Sequence, residues 1–180
     1  VVEEATRIVL VGFMGAGKTT VGERLARLLG WSFLDTDQRI EEDTGLGVAE
    51  IFRERGEAWF RDQERRVARE GATLRQHVIA AGGGAFAEPE TRALLRAGAV
   101  TVWLRCDLET ILARVKGDAR RPRAGNRAIM QALLAQREPS YQLADVTVAA
   151  GGGTPDEVAD RVRRAVFREG TPGTQRTTDR

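Results

Sequence analysis

Lysine is almost missing from this chain. Of its 28 basic residues, only Lys18 and Lys116 are lysine; the rest are arginine. Arginine evidently serves for ordinary surface charge here. A lysine that persists points to a place where a compact ammonium is needed and a planar guanidinium does not serve. Other scarcities narrow the field further. The single cysteine, Cys106, excludes an internal disulfide and fits a reducing compartment. The single histidine, His77, precedes an apolar run and reads as structural, and without a His/Cys cluster zinc is not expected. A net charge of +2 is too balanced to argue for a nucleic-acid or membrane surface, so neither is expected as a partner. No apolar run approaches the roughly 18 residues that span a bilayer. The opening stretch, VVEEATRIVL, puts acids before a short apolar run and has no small-residue cleavage site. It is therefore not expected to be a signal peptide, and a cytoplasmic location is expected.

What is present is a regular alternation. With 180 residues, 42% of them hydrophobic, the chain can fill one core. A single domain over 1–170 is expected, with a disordered tail at 171–180. Runs at Arg7–Phe13, WSFLDTD, HVIAAGGG, AVTVWLR and DVTVAA read as strands. A helix is expected from about Lys18 to Leu29, with Val21, Leu25, Leu28 and Leu29 on one face. Helical pattern also covers about 38–75, broken near Gly45–Gly47 and Gly56, with Trp59 and Phe60 turned inward. Asp107 caps a helix to about Val115; further helices run from about Arg127 to Arg137 and from Pro155 to about Arg168. Strands separated by helices imply an α/β fold, a parallel sheet covered on both faces. In such sheets ligands bind beyond the carboxyl ends of the strands.

Lys18 stands at such an end. The stretch GFMGAGKT, Gly12 to Thr19, fits G-x-x-x-x-G-K-[ST] between an expected strand and an expected helix. Gly12, Gly15 and Gly17 let the backbone at Met14 and Ala16 turn its N–H groups to an anion, and the helix beyond, through Thr20, adds its positive end. Lys18 is then placed to bridge β- and γ-phosphates, and Thr19 to offer a hydroxyl to Mg²⁺. Guanine-reading Asn-Lys-x-Asp is impossible, since valine precedes the other lysine.

Four more segments carry candidate chemistry. FLDTD ends the second strand with Asp35 and Asp37 on one side of an extended segment. They suit metal and hydroxyl binding, or else cap the next helix with Asp37. Arg61, in EAWFRDQE, can pair with Glu57 one turn away or face a ligand. Gly82, Gly83 and Gly84 form a run too costly in entropy for a plain connector, unless something must approach the backbone. RVKGDARRPRAGN holds Arg114, Lys116, Arg120, Arg121 and Arg123 without a core face, which suits a mobile lid at 116–126 or an exposed basic loop. Arg137, in AQREPSY, is expected at a helix end.

In this order and spacing, GFMGAGKTT, FLDTD, GEAWFRDQE, AAGGGAF, RRP and QREPSY resemble the shikimate kinase family, over about Ile8 to Phe167. The resemblance implies a P-loop fold of the nucleoside-monophosphate-kinase type, with a five-stranded sheet in the order 2-3-1-4-5 between helices. It also implies phosphorylation of the 3-hydroxyl of shikimate by ATP with one Mg²⁺ ion, on the route to aromatic amino acids. By the same resemblance Asp37 binds the hydroxyls and receives the proton, while Asp35 acts on the metal through water. Arg61 and Arg137 clamp the substrate carboxylate beside Gly82, Gly83 and Gly84, in a substrate region spanning about 37–65. Lys18 and Arg121 neutralise the transferred phosphoryl group. Arg114 stacks on adenine, and the turn at Pro155 borders the base. The chain departs from the family after the lid Arg-Pro, where Arg123 and Ala124 replace leucines; Pro122 selects Arg121 among the three lid arginines. A monomer is expected.

Overall fold

The computed structural model describes residues 6–116 and 126–167. Five strands, β1 (Arg7–Val11), β2 (Ser32–Asp35), β3 (His77–Ala80), β4 (Val100–Arg105) and β5 (Val146–Ala149), form one parallel sheet in the order β2-β3-β1-β4-β5. This is the order the resemblance implies. The described helices are α1 (Lys18–Leu29), α2 (Thr36–Thr44), α3 (Val48–Gly71), α4 (Pro89–Arg96), α5 (Leu108–Val115), α6 (Arg127–Tyr141) and α7 (Pro155–Val166). None of them is long and apolar enough to cross a membrane. The expected lid arginines Arg120, Arg121 and Arg123 and the tail at 171–180 lie outside the described residues.

β1 is central and apolar throughout its middle because both its faces are covered. Ile8 and Leu10 pack with Val21 and Leu25 of α1 and Val158 and Val162 of α7. Val9 and Val11 face the other way, toward Ala68 of α3, Leu95 of α4, Ile111 of α5 and Met130 of α6. Each such fully buried aliphatic side chain contributes about 1.5–3 kcal/mol. A smaller cluster, Ile40, Ile51, Phe60 and Val67, joins α2 to α3. The chain leaves β1 toward α1 on one face and leaves neighbouring β3 toward α4 on the other. Those diverging exits open a crevice at the carboxyl ends of β1 and β3.

Five local differences from the sequence expectation have physical causes. Leu28 is 51% exposed, because the buried arc of α1 runs through Val21, Gly22, Leu25 and Ala26 and leaves Leu28 at its edge. Gly22 lets the ring of Phe33 lie against the helix: a Cβ there would meet Phe33 Cε2 at 2.5 Å. α4 was not expected. It has eight residues with Pro89 in its first turn and buries only Thr91 and Leu95, too few positions to show a period. α6 does not stop at Arg137 but continues through Pro139 to Tyr141, which is fully buried, so Arg137 lies inside the helix. An interior proline costs about 3 kcal/mol, and the buried Tyr141 anchor offsets it. α2 begins two residues earlier than expected, at Thr36, for a reason that belongs to the site. Phe60 is buried as expected, whereas Trp59 is half-exposed with the Arg55 guanidinium 5.0 Å from its ring centroid.

Candidate active site

At the exit of β1 the chain turns with positive φ at Gly12, Gly15 and Gly17. Gly17 is the N-cap of α1, with φ 96° and no side chain to cap the helix, and no acid lies in the first turn. The first-turn amides of α1, through Thr19 and the exposed Thr20, are thereby left for an external anion. Lys18 Nζ donates to the carbonyls of Gly12 (2.8 Å) and Phe13 (3.0 Å), which holds the ammonium over the loop formed by Met14, Gly15 and Ala16. A loop that draws its own lysine back over itself is a cradle for negative charge.

Arg114 of α5 ties this loop to the next edge of the site. Its guanidinium donates to the carbonyls of Gly15 and Ala16 (both 3.2 Å) and of Ala150 (2.9 Å). Ala150 opens the turn that leads to Pro155, the first residue of α7. Arg114 and the turn before Pro155 are therefore neighbours. Lys116 caps the carboxyl end of α5.

Across the crevice, Asp35 and Asp37 do not share one side of a strand. Asp35 Oδ1 accepts from the amides of Asp37 (3.0 Å) and Gln38 (3.2 Å), so Asp35 is the cap of α2, and Asp37 lies in the first helical turn. The amide-accepting carboxylate ends the strand and starts the helix at once, which separates the two acids. Asp35 Oδ2 accepts from the Thr19 hydroxyl at 2.7 Å, joining α2 to the start of α1. The Asp37 carboxylate lies instead against Gly82.

Gly82, Gly83 and Gly84 leave β3 beneath four charged side chains. A Cβ on Gly82 would collide with the carboxylates of Asp37 and Glu64. One on Gly84 would meet the Arg61 guanidinium at 2.5–2.9 Å, and one on Gly83 would stand 3.5 Å from Arg137 Nη1 and 3.4 Å from the amide of Met14. The triglycine loop thus touches the glycine-rich loop and lies between both arginines. Arg61 is not a solvated surface partner of Glu57. Its side chain is 16% exposed, and it pairs with Glu57 (3.0 Å) and with Glu64 (2.5 Å), whose side chain is 1% exposed. Burial draws the Arg61 pKa down, but the two carboxylates outweigh it and the net shift is upward. Burial pushes the Glu64 carboxyl above its ordinary range, against the pull of Arg61 and Arg137. The Arg137 guanidinium also lies 5.8 Å from the Phe13 ring centroid.

Glu64, Thr36 and Tyr141 escaped the sequence reading. Glu64 stands one turn after Arg61, the helical spacing at which a partner could have been sought. Tyr141 stands four residues after Arg137 in a segment expected to stop short of it. Thr36 was hidden between two acids.

The sheet order, the glycine-rich loop closed by Lys18 and Thr19, and the facing acids and arginines define a P-loop small-molecule kinase. A family model described as shikimate kinase matches residues 14–167. The shikimate kinase of Moorella thermoacetica is 48% identical over 161 residues, covering 88% of this chain and 93% of that protein. The chain belongs to the shikimate kinase family. A solved shikimate kinase from Acinetobacter baumannii in complex with shikimate superposes with a TM-score of 0.87 at 35% identity, covering 92% of this chain and 95% of the other. A gluconokinase from Sinorhizobium meliloti, at 18% identity and a TM-score of 0.58, shares the fold alone.

Proposed function

We propose that this chain transfers the γ-phosphoryl group of ATP to the 3-hydroxyl of shikimate, giving shikimate 3-phosphate and ADP. The observation that carries the reading is the crowding of the triglycine loop: Arg61 and Arg137 border it from two helices while Asp37 lies at its other end. Two guanidiniums beside a bare backbone suit a carboxylate. An acid on the far side suits a hydroxyl of the same small molecule. Shikimate carries both groups.

The proposed roles follow from position. The α1 amides and Lys18 hold the phosphates, and Lys18 leaves its two loop carbonyls to follow the charge that develops on the phosphoryl oxygens. Arg114 and the turn at Pro155 border the base. Arg61 and Arg137 orient the substrate by its carboxylate, so that one hydroxyl meets Asp37. As the new O–P bond forms and the bond to the ADP oxygen breaks, the hydroxyl proton passes to the Asp37 carboxylate. Arg121, assigned from the sequence resemblance alone, neutralises the phosphoryl group in transfer.

Thr19 and Asp35 present two hard oxygen donors 2.7 Å apart beside the phosphate loop. Among the described residues there is no cluster of three or more metal-ligating side chains. That donor set fits Mg²⁺, which takes one or two protein oxygens and completes its shell with phosphate and water. When bound, such an ion would supply neutralisation of phosphate charge; Thr19 would hold it and Asp35 would act on it through water. The reading is tested by ADP release from purified protein offered shikimate, quinate and gluconate in parallel. Release with shikimate alone is expected. Equal or faster release with gluconate would overturn the substrate assignment.

A further inference from the structure

The triglycine loop lacks side chains of its own, yet its peptides are held from two sides. The Gly82 amide donates to Thr36 Oγ1 at 2.9 Å in a buried position. The Gly83 carbonyl accepts from Tyr141 Oη at 2.5 Å. Thr36 precedes Asp37 in the first turn of α2. Tyr141 lies one turn beyond Arg137 on α6, and the positive charge of Arg137 acts on its hydroxyl. Its ring is fully buried, with the Trp103 ring centroid 6.1 Å away.

Resting on the substrate reading above, we propose that Tyr141 and Thr36 are positioning residues that fix the peptide planes of Gly82–Gly84 for a carboxylate. A glycine peptide has no side chain to resist rotation, so its carbonyl and amide can exchange directions at small cost. Within one trans peptide the carbonyl and the amide point opposite ways. Tyr141, by holding the Gly83 carbonyl, therefore fixes the Gly84 amide in the opposite direction. Without the phenol, the carbonyl can turn its negative end toward a bound carboxylate and oppose it. The phenol keeps the carbonyl from doing so. It is suited to this, because burial pushes its pKa up to about 12 and it stays a neutral donor.

The test uses Tyr141→Phe, which keeps the buried ring, and Thr36→Val with Thr36→Ser as its conservative rescue. Amide hydrogen exchange over Gly82–Ala85 in the ligand-free protein reads the tether without reference to any substrate. Exchange is expected to rise in Tyr141→Phe and Thr36→Val and to return to the wild-type rate in Thr36→Ser. In steady-state assays Tyr141→Phe is expected to raise the KM for shikimate about three- to tenfold, the loss of one hydrogen bond, with the KM for ATP unchanged. In an Arg137→Ala background the same change should add less, because both side chains border Gly83 and neighbouring groups are not additive. Unchanged exchange in Tyr141→Phe overturns the tether whatever the substrate is. Faster exchange with an unaltered shikimate KM overturns its positioning role. Wild-type protein that releases no ADP with shikimate overturns the substrate reading, and the exchange arm still decides the tether.

Discussion

Two glycine-rich loops leave neighbouring strands of this sheet, and glycine serves a different end in each. In the loop after β1, Gly12, Gly15 and Gly17 have φ of 141°, 76° and 96°, a region that side-chain-bearing residues rarely adopt. Glycine is there for conformation, which turns the loop's own backbone toward the crevice. In the loop after β3, none of Gly82, Gly83 and Gly84 has positive φ. Glycine is there for room, because Asp37, Glu64, Arg61 and Arg137 occupy the space that side chains would take. On the proposed reading the first loop would hold a phosphate with consecutive residues, and the second would hold its ligand with residues borrowed from α2, α3 and α6.

The largest effect that separates the two loops is expected from Lys18→Ala. Turnover should fall by roughly a thousandfold or more, since a charge facing the transferred group is lost. The circular dichroism and melting temperature should stay near wild type, because Lys18 lies at the start of α1 in the loop and is not among the buried core residues. Near-wild-type turnover would remove the phosphate role from the first loop. Arg121→Ala should also lower kcat by orders of magnitude with modest change in either KM, whereas Arg123→Ala should do much less. The reverse ranking would move the catalytic arginine two positions along the chain.

Next in size come the changes that touch only the second loop. Arg61→Ala and Arg137→Ala should each weaken shikimate binding by about 1.5–3 kcal/mol, roughly tenfold to a hundredfold, and leave ATP affinity nearly unchanged. Gly84→Ala should act in the same direction by displacing the Arg61 guanidinium. If these changes altered the KM for ATP as strongly as that for shikimate, the two loops would not be separate recognition elements. The smallest effect on catalysis is expected from Gly22→Ala, whose methyl meets the Phe33 ring away from both loops. It should cost about 1–3 kcal/mol of stability by overpacking and leave both KM values alone, as a denaturant titration beside the assay would show.

The same contrast explains what the sequence disclosed. GFMGAGKTT is contiguous, follows an apolar strand and contains one of two lysines, so the first loop was legible from one segment. The inner strands β1, β3 and β4 were legible for a similar reason, since burial on both faces writes apolar runs, while the edge strands β2 and β5 are short and partly exposed. The second loop was legible only in part. Gly82–Gly84, Asp37, Arg61 and Arg137 could be singled out one at a time, but their meeting depends on how α2, α3 and α6 pack. Glu64 stayed hidden because a carboxylate among many on a charged helix has no mark of burial. Tyr141 stayed hidden because the helix was expected to end near Arg137, one turn short of it. The relation of Asp35 to Asp37 was misread because the strand–helix junction falls between them, where one capping carboxylate decides the geometry.

The separation of the two loops is tested most directly by titrating the protein calorimetrically with shikimate and with its methyl ester, which keeps the hydroxyls and masks the carboxylate. The wild-type protein should bind the ester about tenfold to a hundredfold more weakly than the acid. That difference should shrink several-fold in Arg61→Ala and in Arg137→Ala and should persist in Lys18→Ala. Equal affinity of the wild-type protein for acid and ester, or a preference that survives loss of either arginine but disappears with Lys18, would contradict the assignment of the carboxylate to the second loop.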